Sequence, residues 1–506
     1  MKRRLWLLLL LPLVALLAML PLWLSAQQTD DLPRSTPAAE GISTQAVIDM
    51  MDSLQQMRGC DIHHVMVVRH GKVVAELHAD PFRADDSHTL YSVSKLFTAL
   101  AVGIAIDENR LRLDDRVMTF FYDKMPDVIS ANMAGVTVRD LLMMASGVKM
   151  DPGIRASSTD WTRAWLAAPC DEEPGKVFQY DSMSSFMLSA IVQRVTGRTL
   201  LEYLQEKVFT PMHINHADWE KSPDGICTGG WGLRVQTEAL AKLGVLMLNK
   251  GEWEGQQLVS ADYVEQACSP LIPAESSETG ISSYGYHLWN ASWQDFGKLS
   301  IAMGRFGQAM VLLPEQDMVV VVLGIMAEGQ SILPFLKNQL LPGVVDGAMK
   351  GEKHLQHQLD SICANAVIYL PQGGGKGKAV SQKRLEMMPN SAGLSWAMLN
   401  GDTLLLARHD EPVETFPMGY REWHYGTLKG LPPYSINALN RMKDLDHDFV
   451  TASAYAWTSP SILEVRIHYV NWIASSTYIF DFNKQELTFR DDFPGNQPNK
   501  IRFTIQ

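Results

Sequence analysis

The chain has 506 residues, 46% of them hydrophobic and 20% charged, an ordinary globular composition whose length suggests two or more domains. A formal charge of −12 without a basic stripe argues against a nucleic-acid partner. Five cysteines (Cys60, Cys170, Cys227, Cys268 and Cys363) include no Cys-x-x-Cys pair, which argues against a zinc or redox site and leaves at least one thiol free.

Lys2, Arg3 and Arg4 precede an apolar run from Leu5 to Leu24, followed by Ser25-Ala26. A basic start, an apolar stretch and a small residue near its end mark a secretory signal. The run is also about the ~20 residues that span a bilayer, so a cleaved signal and an uncleaved membrane anchor both stay open. Either way the basic end stays inside and the rest is exported, which places the working domain in the periplasm or otherwise outside the cytoplasm. Residues 1–26 are therefore read as signal or anchor and residues 27–45 as a spacer.

Ile42 to Met57 reads as a helix. Val65 to Arg69 and Lys72 to Glu76 flank His70-Gly71 and read as a hairpin. Then comes Leu90-Tyr91-Ser92-Val93-Ser94-Lys95, which opens an apolar helix from Leu96 to Ile106. Residues three apart share one helix face, so Ser92 and Lys95 should stand together. Ser92 would sit at the helix N-terminus, where the dipole favours developing negative charge. A serine hydroxyl needs a neighbouring base to become a nucleophile, and a desolvated lysine can serve. A serine before an apolar helix is also a common N-cap, so four positions with two fixed do not make a site by themselves.

Further on, Val136 to Gly147 reads as a short helix closed by glycine. Tyr180-Asp181-Ser182 precedes an apolar helix from Phe186 to Val195, closed by Gly197. Gly229-Gly230-Trp231-Gly232 is a glycine-rich loop before a helix from Leu240 to Leu248. Tyr284 to Trp289 alternates like one strand, and Ala309 to Leu313 with Met318 to Leu323 forms a strand pair. The second of these is apolar throughout and should be buried on both faces. His63-His64 and the His354/His357 pair have no carboxylate partner at ligand spacing, so no metal is expected. Pro371 to Lys378 is a linker or loop tip; its glycine spacing does not fit a phosphate loop. Beyond it, Thr403 to Ala407, Ile462 to Val470, Ser476 to Phe482 and Glu486 to Phe489 read as strands of a separate small barrel or sandwich with no catalytic constellation of its own.

Read together, Val67 to Gly71, Tyr91 to Lys95, Gly103 to Glu108, Leu113-Asp114-Asp115 and Leu141 to Gly147 resemble the penicillin-recognising serine hydrolases. Within them the chain looks most like the class C β-lactamase-related group, especially its esterases and 6-aminohexanoate-dimer hydrolases. The resemblance covers about Asp61 to Gly324. It implies a mixed α/β (α+β) fold of the β-lactamase/transpeptidase type: an antiparallel sheet flanked by helices, with an all-α subdomain. On that reading residues 46–350 form the hydrolase domain, 351–380 a linker, and 381–506 the β-rich C-terminal domain.

The resemblance also implies three boxes lining one cleft. Ser92 and Lys95 supply nucleophile and activating amine. Tyr180 occupies the tyrosine of a Tyr-x-Asn box and would shuttle the proton, while Ser182 replaces its asparagine. The third box best matches Ala302-Met303-Gly304, followed by Arg305; the usual lysine is missing, and Arg305 is the candidate to replace its charge. Backbone N–H groups at Ser92 and near Arg305 would hold the oxyanion. The implied activity is an acyl-enzyme hydrolase without cofactors, acting on a small-molecule or cell-wall-derived ester or amide. A D-alanyl peptidase or β-lactamase, and a non-catalytic cell-envelope binding protein of the same fold, stay open as alternatives.

Overall fold

Val65-Met66-Val67-Val68 contains no polar position because both of its faces are covered. In the computed structural model, which describes residues 31–275, 280–375, 377, 382–439, 442, 445 and 448–506, this stretch lies in strand β1 (Asp61–Arg69). The chain turns back through His70 and Gly71, at φ 51° and 69°, into β2 (Lys72–His78). A two-residue turn with both residues in the left-handed region is the one whose twist matches a hairpin. Strands β3 (Ile272–Pro273), β4 (Ile281–Tyr284), β5 (Trp289–Trp293), β6 (Gly297–Gly304), β7 (Gln308–Leu313) and β8 (Met318–Ile325) complete an antiparallel sheet ordered β2-β1-β8-β7-β6-β5-β4-β3.

Alternate side chains of the central strands serve two different cores. Met66, Val68, Val319, Val321 and Leu323 pack into one cluster; Val65, Val67, Val320 and Val322 pack into the other. Helices α1 (Thr44–Gln55) and α6 (Lys353–Ala364) cover the second face, while α2 (Ser94–Asp107), α3 (Val138–Leu142), α4 (Ser182–Thr196) and α5 (Thr237–Leu248) belong to the first. Ser43 caps α1 through its side chain, Thr137 and Asp140 form a capping box on α3, and Gly197 closes α4 at φ 72°.

Two local expectations are corrected. Tyr284 to Trp289 is not one strand: β4 ends at Tyr284, β5 begins at Trp289, and His287 between them adopts φ 59°. The alternation of aromatics there reflects a turn whose residues are all buried, and the Gly285 N–H pairs with the Leu288 carbonyl at 2.8 Å. Residues 351–380 also contain helix α6, whose Leu355, Leu359, Ile362 and Cys363 recur at three- and four-residue spacing and pack into the second core. Residues 376 and 378–380 of that stretch, and the whole segment read as signal or anchor, lie outside the described residues. Among the described residues no helix is long and apolar enough to cross a membrane.

Among the described residues the C-terminal part is a single eleven-stranded sheet: β9 (Arg384–Met387), β10 (Leu394–Asn400), β11 (Thr403–Arg408), β12 (Glu414–Pro417), β13 (Gly419–Tyr420), β14 (His424–Leu428), β15 (Phe449–Ser459), β16 (Ile462–Tyr469), β17 (Ser475–Asp481), β18 (Glu486–Asp491) and β19 (Asn499–Ile505). The order is β12-β11-β10-β9-β19-β18-β17-β16-β15-β13, with β14 on β15. The end strands β12 and β14 touch, so the sheet is a nearly closed barrel. Its core holds Leu406, Val465, Tyr478, Phe480 and Phe503.

The barrel does not hang free. Ala452, Ala454 and Val470 share the second core of the sheet domain, and Tyr91 belongs to the barrel's own core. Arg234 is fully buried, pairs with both carboxylate oxygens of Asp218 at 2.8 Å, and donates to the carbonyl of Asn471 at 2.9 Å. Its guanidinium lies over the rings of Phe449 and Trp472.

Candidate active site

Three pieces of chain far apart in sequence meet at the start of α2. Tyr91 to Val93 forms a tight 3-10 turn that runs directly into the helix, so Ser92 stands just before α2 and not inside it. Tyr91 takes φ 46°, a left-handed conformation rare for a large side chain, and is almost fully buried. Such backbone persists only where the surroundings over-determine it. Here the ring is held against Phe306 and Tyr434.

Lys95, one turn on, is 1% exposed. Its Nζ donates to Ser92 Oγ at 2.9 Å, to Ser182 Oγ at 3.0 Å and to the Gly230 carbonyl at 2.6 Å. Three acceptors use all three ammonium protons, or two protons and the lone pair of the neutral amine. Burial drives its pKa down to about 7; Asp181 pulls upward and Arg155 pushes further down. Asp181 is itself used as the cap of α4, accepting from the N–H groups of Met183 and Ser184 at 2.9 Å. That cap fixes the first turn of α4 and with it the position of Ser182.

Tyr180 reaches the same point from the segment before α4. Ser92 lies near enough to its hydroxyl to oppose the upward shift of the phenol, and its ring lies 4.9 Å from Lys95 Nζ. Trp289 stacks on the ring at 5.8 Å between centroids and Tyr284 meets it edge-on. The residue is 39% exposed, yet burial around the phenol pushes its pKa up to about 12. The segment is anchored through Gln179, whose N–H donates to the Met144 carbonyl at 2.7 Å.

Gly304 ends β6 directly beside the nucleophile turn: a Cβ there would stand 2.6 Å from the Leu90 carbonyl. Arg305 follows, with Nη1 donating to the Ser435 carbonyl at 3.4 Å. A cleft of about 450 Å³ contains Ser92, Ser182 and Arg305 together with Arg155, Trp231 and residues Ser435 to Asn437. That volume suits a small molecule. A second cavity of about 400 Å³, lined by Met303, Phe306, Met326 and Leu333, opens on the other side of Arg305 and touches neither Ser92, Lys95 nor Tyr180.

Of the residues that the motifs singled out, Ser92, Lys95 and Ser182 thus share one hydrogen-bonded group, with the Tyr180 ring against Lys95, Gly304 beside the Ser92 turn and Arg305 on the cleft wall. The motifs did not reveal the Gly230 carbonyl. Gly229 and Gly230 are both required: a Cβ on Gly229 would meet the Ser185 carbonyl at 2.5 Å, and one on Gly230 the Ser182 carbonyl at 2.6 Å. The signal was the glycine pair itself, since only glycine lets two backbones approach so closely. Arg155, Trp289 and Ser435 to Asn437 carried no signal in sequence.

The sequence profile of the beta-lactamase family matches residues 48–324, which is more than half of the chain. A 6-aminohexanoate-dimer hydrolase from Paenarthrobacter ureafaciens is 25% identical over 317 residues, 57% of this chain and 79% of that protein. Protein Flp of Staphylococcus aureus (strain COL) is 28% identical over 142 residues, 27% of this chain, and the match spans only 28% of that relative's length. Among solved structures, a penicillin-binding protein homologue from Caulobacter crescentus is similar at 18% identity and a TM-score of 0.48, over 58% of this chain and 94% of that one. With its profile matched over more than half of its length, the chain belongs to the beta-lactamase family of serine hydrolases.

Proposed function

We propose that Ser92 is the nucleophile of an acyl-enzyme hydrolase acting on small esters or amides. The observation that carries the reading is the Lys95 ammonium: buried, shifted to about 7, and 2.9 Å from Ser92 Oγ. Near neutral pH a large share of this amine is uncharged and able to take the serine proton. The phenol of Tyr180, raised to about 12, stays protonated and acts as a donor that passes a proton between Ser92 and the leaving group. Attack forms the Ser92 Oγ–acyl bond and expels the alcohol or amine with that proton. Backbone N–H groups at Ser92 and Arg305 are the candidate oxyanion donors. Water then attacks the acyl carbon, giving a proton to the Lys95 amine; the acyl–Oγ bond breaks, that proton passes to Ser92 Oγ, and the acid leaves with hydroxyl and neutral amine restored.

Arg155 and Arg305 both face the cleft, and among the described residues neither forms an ion pair with a carboxylate. A substrate bearing a carboxylate is therefore favoured over a neutral one. The check is a matched pair of esters, one neutral and one carboxylated: kcat/KM should favour the anion, and Arg305→Met should lower that preference about 10-fold. Equal kcat/KM for the pair contradicts this part of the reading. The same charge preference supports a peptidase acting on chains that end in a carboxylate, the second reading. Export of the hydrolase is supported by the basic residues Lys2 to Arg4 ahead of the apolar run; cell fractionation of the full chain tests it.

A further inference from the structure

The β-rich domain sends one segment out of its barrel, between β14 and β15, and this segment ends up in the catalytic cleft. Ser435, Ile436 and Asn437 line the same space as Ser92. We propose that Ile436 and Asn437 form a fixed wall of the cleft that limits the size of the group the enzyme accepts there, which makes the C-terminal domain part of substrate selection. The inference deepens the Ser92 acyl-enzyme reading and rests on it.

The segment is held at several independent points. Ser435 Oγ is 3.0 Å from the Tyr91 hydroxyl, next to the nucleophile. The Ser435 carbonyl accepts from Arg305, at the end of β6. The Leu439 N–H donates to the Arg155 carbonyl at 2.9 Å, in the helical subdomain on the other side of the cleft. Tyr434 is wedged between Tyr91 and Trp472, with ring centroids 5.5 and 4.9 Å away. Trp472 Nε1 donates to the Pro433 carbonyl at 3.2 Å. Ile436 and Ala438 pack onto the main core of the hydrolase domain. A segment tied to the nucleophile turn, the third-box strand and the helical subdomain cannot swing aside without breaking all three contacts.

Its chemistry fits a wall and not a proton-transfer role. Ile436 offers only apolar bulk. Asn437, exposed at the rim, offers an amide to a polar group of the substrate. Neither touches Lys95 or Tyr180 in a hydrogen bond. In a cleft of about 450 Å³, one side chain of this size decides whether a longer chain fits.

Two ester series test this on the full chain. In one, p-nitrophenyl acyl esters lengthen from acetyl to decanoyl; in the other, acetate esters carry leaving groups of growing size. Ile436→Ala should raise the long-to-short ratio of kcat/KM at least about 10-fold in one series, and Ile436→Trp should lower it in the same series. A small fluorophosphonate, read by intact mass, reports in parallel whether Ser92 is reactive and the variant folded. Labelled Ser92 with the ratio unchanged in both series overturns the wall and leaves the acyl-enzyme reading standing. Wild-type protein that neither labels at Ser92 nor turns over any ester overturns both.

Discussion

Lys95 Nζ lies 2.9 Å from Ser92 Oγ, and its other partners are a hydroxyl and a carbonyl, with no carboxylate in ion-pair reach among the described residues. A buried lysine placed this way has lost its hydration without gaining an opposite charge, so its proton is weakly held. Asp181 lies close enough to oppose the shift but is committed to the α4 cap.

The pH profile follows directly. Below about 7 Lys95 is charged and cannot accept the Ser92 proton; above it the amine is free. kcat/KM should rise with pH along a single limb with a midpoint near 7. Tyr180, held at about 12, adds no falling limb below roughly pH 10. Lys95→Arg, whose guanidinium stays charged, should lose that limb together with about 100- to 10,000-fold of activity. A flat profile between pH 5 and 9 contradicts this assignment.

Gly230→Ala should harm catalysis more than stability. The added Cβ would stand 2.6 Å from the Ser182 carbonyl, so the loop must retreat and take with it the carbonyl that holds Lys95. A misplacement of about 1 Å costs on the order of 100-fold in kcat. The loss of folding stability should stay within about 1–3 kcal/mol. Steady-state kinetics alongside a urea melt separates the two effects; kcat within twofold of wild type contradicts the role given to that carbonyl.

These two predictions draw on different depths of the sequence. Ser92, Lys95 and Tyr180 were legible because each motif is local and chemically unusual: a lysine inside an apolar run, a tyrosine ahead of a capped helix. The β1–β2 hairpin and the doubly buried β8 were legible from turn residues and unbroken apolar runs. The Gly230 acceptor was not, since a carbonyl belongs to every residue and its use depends on where the loop docks. Ser435 to Asn437 were invisible for a stronger reason: they lie more than 300 residues from Ser92, and only the docking of the barrel brings them near. The break at Gly285 to Leu288 was missed because buried turn residues there mimic strand alternation.

Arg234 ties the two domains, and its removal should loosen them. Arg234→Met removes the guanidinium that both carboxylate oxygens of Asp218 accept from and takes its donor from the Asn471 carbonyl. Breaking one partner of a buried pair costs about 3–5 kcal/mol. The variant should melt at lower temperature, and limited proteolysis should cut between residues 365 and 384 faster than in wild type. Unchanged melting and cleavage contradict the claim that this contact joins the domains.

Acid should destabilise the fold through buried histidines where the barrel meets the sheet. His63 Nδ1 is 2.9 Å from His88 Nε2, His88 Nδ1 donates to the Thr89 carbonyl, and His64 Nδ1 pairs with His78 Nδ1 at 2.8 Å. Phe82 stacks on His63, His468 approaches from β16, and Arg466, ion-paired with Asp61, adds positive charge nearby. Burial lowers His88 to about 4, and His63, His64 and His468 also fall well below 6.5. The unfolded chain therefore binds protons first. The stability in question is present above pH 6.5 and is lost as pH falls toward 4, by about 3 kcal/mol from His88 alone. Urea midpoints measured from pH 7 to pH 4 should drop steadily, and His88→Gln should flatten the drop; a midpoint independent of pH contradicts this.

Intact mass after exposure to a fluorophosphonate is the most direct test of the central claim. The account predicts one adduct, mapped to Ser92 by peptide sequencing, absent in Ser92→Ala and slowed at least about 100-fold in Lys95→Ala. An adduct on another residue, or none on the folded protein at pH 8, would contradict it.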